Sequence, residues 1–178
     1  MQNDKIKMQN VRLSFPSLFQ TETFGGTSTG KYAATFILDK KEHAKTIKEI
    51  QAHIKEMVAT EFKGKGPSDD RICLKDGDDD VRPESEGKFT IKASTKKRPL
   101  VLNRDKTPVT EEDEVFYAGC HVNAIISLWA QNSKDFGKRI NGSLDGVMFN
   151  AHGEPFGAAG ISVDEFDAFG DGDDDMPF

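Results

Sequence analysis

Lys88, Lys92, Lys96, Lys97 and Arg98 fall within one short stretch that no acidic residue interrupts. In an extended strand Lys88, Thr90, Lys92, Ser94 and Lys96 share a face, with Phe89, Ile91 and Ala93 on the other. Like charges on a sheet repel one another, so an all-cationic face calls for an anion, and a run of phosphates supplies one. A second stretch, Tyr117 to Gln131, alternates just as regularly: Cys120, Val122, Ala124, Ile126, Leu128 and Ala130 form an inward set. The outward set is Tyr117, His121, Asn123, Ile125, Ser127, Trp129 and Gln131. Rings among neutral hydrogen-bonding side chains suit base stacking, because every base has a π-face whatever the sequence. The expected nucleic-acid contacts are therefore Lys88, Lys92, Lys96, Lys97, Arg98 and Arg139 on phosphates, with Tyr32, Tyr117, His121 and Trp129 against bases.

Other chemistries fit less well. Asp76, Asp78 and Asp80 have the spacing of the first three ligands of a calcium-binding EF-hand loop, but Val81 stands at its glycine position and Gly87 at its bidentate glutamate. A solvated loop is expected there. The same carboxylates, Asp76, Asp78, Asp79, Asp80 and Glu84, make a divalent-metal nuclease the alternative reading, although no basic or His partner is fixed beside them in the sequence. Residues 25–31 nearly spell a phosphate-cradling P-loop, yet Tyr32 replaces its Ser or Thr, and the residues that follow favour a strand over the required helix. Cys73 and Cys120 form neither a metal-ligand pattern nor a paired framework and suit a reducing compartment. Neither a metal, a cofactor nor a catalytic residue is expected.

The last nine residues place Asp171, Asp173, Asp174 and Asp175 before an apolar Met176-Pro177-Phe178 tip. Such a segment is expected to stay disordered and solvated. Its Phe ring and terminal carboxylate suit a basic pocket with an apolar floor on a partner. The order Asp173-Asp174-Asp175-Met176-Pro177-Phe178 resembles the ends of bacterial single-stranded DNA-binding proteins. From residue 161 onward there are seven acids and no Lys or Arg. The whole chain has 24 basic and 30 acidic residues, a net charge of -6, so the body without this end is nearly neutral. The net charge alone favours a third reading, an acidic interaction module that binds no DNA.

The elements that must carry these residues are mostly strands. Residues 6–15 alternate with one slip near Asn10, which predicts a bulged strand ended by Pro16. A strand is expected over 31–38, then a helix capped by Asp39 and Glu42 and running to about Phe62. Its buried stripe is Ala44, Ile47, Ile50, Ile54, Met57 and Val58. Extended runs follow at 87–98 and 99–103, then 117–131, then 138–150 with Ile140, Leu144 and Met148 inward. The length suits one domain with an appendage, divided at 1–157 and 158–178. No signal-peptide core or membrane-spanning run is seen, which predicts a protein of the cytoplasm.

Several stretches together resemble a family of phage single-stranded DNA-binding proteins, long known only as a domain of unknown function. They are Val11 to Phe19, Gly30 to Phe36, Lys88 to Pro99, Phe116 to Asn123 and Gly153 to Gly157. The resemblance implies a mainly β, OB-fold-like five-stranded barrel, here with one long amphipathic helix and the acidic tail. It also implies single-stranded DNA as partner, a role in phage DNA replication or recombination, and protein partners for the tail, with self-association compatible. A standard OB barrel carries its helix between the third and fourth strands; here it follows the second.

Overall fold

The computed structural model describes residues 5–79, 86–135 and 137–156. The expected tail, 158–178, with its proposed contacts Asp173, Asp174, Asp175, Met176, Pro177 and Phe178, lies outside the described residues, as do Asp80 and Glu84. In chain order the strands are β1 (Lys5–Ser17), β2 (Thr23–Phe24), β3 (Thr27–Ser28), β4 (Tyr32–Asp39), β5 (Leu74–Asp76), β6 (Lys88–Thr95), β7 (Leu100–Leu102), β8 (His121–Ser133) and β9 (Gly137–Ala151). One α-helix, α1 (Ala44–Glu61), separates β4 from β5.

Five strands close a ring in the order β1, β4, β6, β9, β8 and back to β1. All neighbours are antiparallel except β6 and β9, which run parallel. This is the pairing of an OB-fold-like barrel, with β1, β4, β6, β8 and β9 as its five strands in sequence order. The variant position of α1 stands as the strand count predicted: it lies between the second and third ring strands, and β7 occupies the later connection.

One strand serves two neighbours. Residues Lys5 to Arg12 of β1 pair with β8, and Arg12 to Ser17 pair with β4. Ile6, Met8, Val11 and Leu13 are all buried, and the step from 8 to 11 is absorbed by Asn10 at φ 55, a left-handed conformation that Asn tolerates. The slip near Asn10 is thus a bulge, as expected. Pro16 does not end the strand. A second irregularity between Ser14 and Ser17, with Phe15 at φ 46, leaves the prolyl nitrogen outside the ladder.

Helix α1 starts later than its capping pattern predicts. Asp39 Oδ1 accepts the Lys41 and Glu42 amides, which makes a turn, while Glu42 Oε1 accepts from Asn10 Nδ2 instead of closing a capping box. His43 is the N-cap, buried with Nδ1 accepting the Asp39 amide. Ile47 and Ile50 are buried, and Ile54 and Met57 pack against the same core.

Two further boundaries differ. β8 begins at His121, so Tyr117 precedes the strand. In β9 the register shifts between Leu144, paired with Ile126, and Gly146, paired with Ile125. The extra residue, Asp145, reverses the alternation beyond it: Val147 and Phe149 enter the core, and Met148 faces outward, not inward as its spacing predicts. Burial pushes the Cys73 thiol up to about 12 and raises that of Cys120, so both free cysteines are poor nucleophiles. Among the described residues no helix is long and apolar enough to cross a membrane.

The ring closes on a narrow contact. β6 and β9 pair through Ala93 with Gly142 and Ser94 with Ser143, then separate. The chain before β5 fills the gap: the Cys73 amide donates to Ile140 O (3.0 Å) and the Lys92 amide to Cys73 O (3.3 Å). A methyl group at Gly142 would stand 2.8 Å from Lys92 O and 3.4 Å from Ala93 Cα. Gly142→Ala should therefore force the closure apart and lower stability by about 1–3 kcal/mol, read as a lower denaturation midpoint at unchanged slope.

Candidate nucleic-acid interface

The separation of β6 from β9 opens a cleft of about 280 Å³ on the outer wall of the barrel. Its lining includes Arg71, Lys75, Lys92 and Arg139 as cations, with Thr35, Thr90, Ser94 and Asn141 as neutral hydrogen-bonding groups and Asp70 as an acid. Each arrives by strand alternation. Lys92 faces outward because Ile91 and Ala93 are buried, and Asn141 because Ile140 and Gly142 are. Lys75 sits across from Thr90. The Arg71 guanidinium lies over the β8–β9 turn, where a methyl group on Gly137 would meet its Nη1.

Trp129 is 45% exposed and pairs across strands with Asn141, while Gln131 pairs with Arg139. The Asn141 amide donates to Gln131 Oε1 at 3.0 Å. Lys92, Asn141, Arg139 and Trp129 therefore occupy adjoining outward positions, with an indole face beside a cationic cleft.

The remaining predicted residues divide between the ends of this wall and a separate cluster. Lys88 lies opposite Asp39 at the far end of β6. Lys96, Lys97 and Arg98 are exposed at the corner between β6 and β7, where Arg98 Nη2 donates to Phe19 O at 3.4 Å. Tyr32 is half-buried at the start of β4, in register with Thr95. Tyr117 and His121 lie elsewhere. The Tyr117 hydroxyl bonds to Gly153 N (3.0 Å), Gly153 O (3.1 Å) and His152 Nδ1 (2.9 Å), and its ring stacks on His152. His121 is half-buried beside Gly153, with Nδ1 buried and no hydrogen-bond partner among the described residues.

That cluster is a knot of three chain segments. Arg12 donates from Nε to Gly119 O (3.1 Å) and from Nη2 to Glu154 O, and its guanidinium lies 4.1 Å from the Phe156 ring centroid. Gly119 (φ 111) faces Glu154 O so closely that a methyl group would stand 2.3 Å from it.

The family described as Enterobacter phage Enc34, ssDNA-binding protein, matches residues 4–177 of this chain. The chain belongs to that family. The protein p50 of Acyrthosiphon pisum secondary endosymbiont phage 1 is 36% identical over 173 residues, 92% of each chain. The single-stranded DNA-binding protein of bacteriophage Enc34, solved in complex with ssDNA, superposes with a TM-score of 0.77 at 33% identity, covering 86% of this chain and 90% of its own. Gp2.5, a single-stranded DNA-binding protein of bacteriophage T7, shares the fold at 12% identity, with a TM-score of 0.60 over 92% of this chain and 93% of its own. Family membership extends over the wall, the cleft and the knot alike.

Sequence reasoning missed Arg71, Lys75, Asn141 and Thr35 as cleft residues. Arg71 and Lys75 stand among acids in the chain and reach the wall through the bridge of Ile72 to Ile140 of β9 and the pairing of β5 with β6. It also expected no basic partner beside the acidic loop. Lys40 Nζ lies 2.8 Å from Asp76 Oδ1 and 2.6 Å from Asp78 Oδ2, and Asp78 Oδ1 accepts the Gly87 amide at 2.7 Å. A lysine ammonium thus sits between the two carboxylates that would have headed a metal site. Among the described residues no group of His, Cys, Asp and Glu has the arrangement of a metal centre.

The Lys40 hydrogen bond lowers the pKa of Asp76, the Gly87 amide and then Lys40 lower that of Asp78, and the Glu42 and Lys41 amides lower that of Asp39. A carboxyl whose folded pKa is depressed stabilises the fold above its unfolded pKa, and that contribution disappears as pH falls through the folded value. The window lies below the ordinary value of 3.8. Lys40→Met should accordingly lower stability slightly near neutrality, where the contribution is fully present but screened by solvent, and the difference should vanish as pH falls through the folded pKa values, read from denaturation midpoints at several pH values by circular dichroism.

Proposed function

We propose that this protein binds single-stranded DNA, largely irrespective of sequence, along the outer wall formed by β4, β6, β9 and β8, and that it does so without catalysing a reaction. The observation that carries this reading is the contiguity of the cationic cleft with the exposed Trp129. Its relative from phage Enc34 was solved with ssDNA bound, and OB-type barrels take oligonucleotides on the face of their second and third strands. Those strands here are β4 and β6. Lys92, Arg139, Arg71 and Lys75 neutralise phosphates in the cleft, and Lys96, Lys97 and Arg98 extend the path at the β6–β7 corner. Lys88, opposite Asp39, contributes less. Trp129 stacks on a base, Asn141 and Gln131 meet base edges, and Tyr32 supplies a second ring at the other end. Tyr117 and His121 act through the knot, by holding the start of β8 in place.

Trp129→Ala should weaken binding to oligo-dT by about 1–3 kcal/mol, and the tryptophan fluorescence of the unmodified protein should change on binding. With about four phosphates engaged, log affinity should fall against log salt with a slope near -3, from roughly 0.7 per contact. Fluorescence that ignores oligo-dT would remove Trp129 from the interface, and equal affinity for duplex would remove the single-strand preference.

The division of labour extends to the end of the chain. Residues 1–157 form the DNA-binding body, and 158–178 a tail whose carboxylates mimic DNA and compete for the cationic wall at an effective concentration of order millimolar. DNA releases the tail, and Asp173 to Phe178 then dock on proteins of phage DNA replication or recombination inside the host bacterium. Deleting residues 170–178 should tighten oligo-dT binding at low salt; unchanged or weaker binding in filter or anisotropy assays contradicts the competition.

A further inference from the structure

Residues 18–31, which join β1 to β4, lie against the cations of the proposed DNA path. Glu22 places Oε2 at 3.0 Å and Oε1 at 3.2 Å from Lys92 Nζ, so both carboxylate oxygens share one ammonium that also lines the cleft. Four residues earlier the segment is anchored by Leu18, which is buried, and Phe19 packs on the core with its ring tilted against Phe116. Glu22 itself sits at the neck of a hairpin. Its amide donates to Lys31 O (2.7 Å) and its carbonyl accepts the Thr29 amide (2.8 Å), while β2 and β3 form the hairpin beyond. The backbone of Glu22 is therefore held from both sides, and its carboxylate reaches Lys92 from a fixed base. Phe19 O accepts from Arg98 in the same segment.

We propose that this segment is a strap latched across the DNA-binding wall, in which the Glu22 carboxylate occupies the place of a DNA phosphate on Lys92. The inference rests on the reading of the wall as the DNA site and adds the residue that sets its affinity. A carboxylate presents two anionic oxygens to an ammonium much as a phosphodiester does, so the two compete for the same donor. The latch must be weak to be useful. Lys92 is 53% and Glu22 27% exposed at the side chain, and ion pairs this open contribute about 0–1 kcal/mol. A phosphate strand that brings several charges at once displaces the carboxylate, and the strap swings outward while its hairpin neck stays bonded. Short or sparsely charged ligands leave it shut. Glu22 thereby favours extended polyphosphate chains over isolated anions.

The test is a double-mutant cycle on the full-length protein, read by oligo-dT anisotropy at low and high salt. Glu22→Gln should tighten binding by up to about fivefold at low salt, and the gain should shrink as salt screens the pair. In a Lys92→Met background the same substitution should do nothing, because the donor that both anions seek is gone. Glu111→Gln serves as the comparison: Glu111 accepts from Gln20 of the strap, and among the described residues its hydrogen bonds reach no cleft cation, so its removal should change affinity less. Melting temperatures within about a degree across the set confirm intact folding. An equal gain from Glu22→Gln with and without Lys92 means general charge repulsion and overturns the latch, as does no gain at all. Failure of the unmodified protein to bind oligo-dT overturns the reading of the wall, and the latch falls with it.

Discussion

The parallel contact between β6 and β9 governs the rest of the molecule. It is only two residue pairs long, and it depends on Gly142 because any larger residue meets the Lys92 carbonyl. Being so short, the closure leaves the two strands free to diverge on one side, and the chain before β5 wedges into the opening through the Cys73 amide and carbonyl. The wedge carries Arg71 and Lys75 onto the same wall as Lys92 and Arg139. A longer closure would have paired the backbone groups directly and left no cleft between the cations.

Much of this was legible from alternation alone. The inward sets of β1, β6 and β8 emerge from period-two burial, and the slip at Asn10 betrays itself as one missed beat in that pattern. What stayed hidden depended on partners distant in sequence. The Asp145 bulge leaves no signature of its own, since Met148 is as apolar as Val147 and either could face the core. Asp39 and Glu42 obey a capping rule locally, but Asn10 claims the Glu42 side chain and the helix begins at His43 instead. The grouping of Lys92, Arg139 and Trp129 followed from strand faces, whereas Arg71 and Lys75 needed a pairing that no local pattern encodes.

The stretches that carry the family resemblance turn out to do different jobs. Val11 to Phe19, Phe116 to Asn123 and Gly153 to Phe156 converge where Arg12 binds the carbonyls of Gly119 and Glu154 and covers Phe156. Gly119 and Gly153 are required by close backbone approach, and Phe19 and Phe116 pack their rings against each other. Lys88 to Pro99 instead supplies wall and corner. A ring residue in a matched stretch is thus not by itself a base platform, and Tyr117, whose hydroxyl and ring are both engaged by the 152–153 segment, illustrates the difference.

The double allegiance of β1 also shapes how the chain can be made. Its first half pairs with β8, whose residues leave the ribosome more than a hundred positions later, and only its second half finds β4 nearby. During synthesis the first half remains an open edge, able to seize stray strands, until β8 has emerged. The ring can therefore close only after β8 and β9 are made, and contacts between positions so far apart in the chain should slow folding for so modest a size.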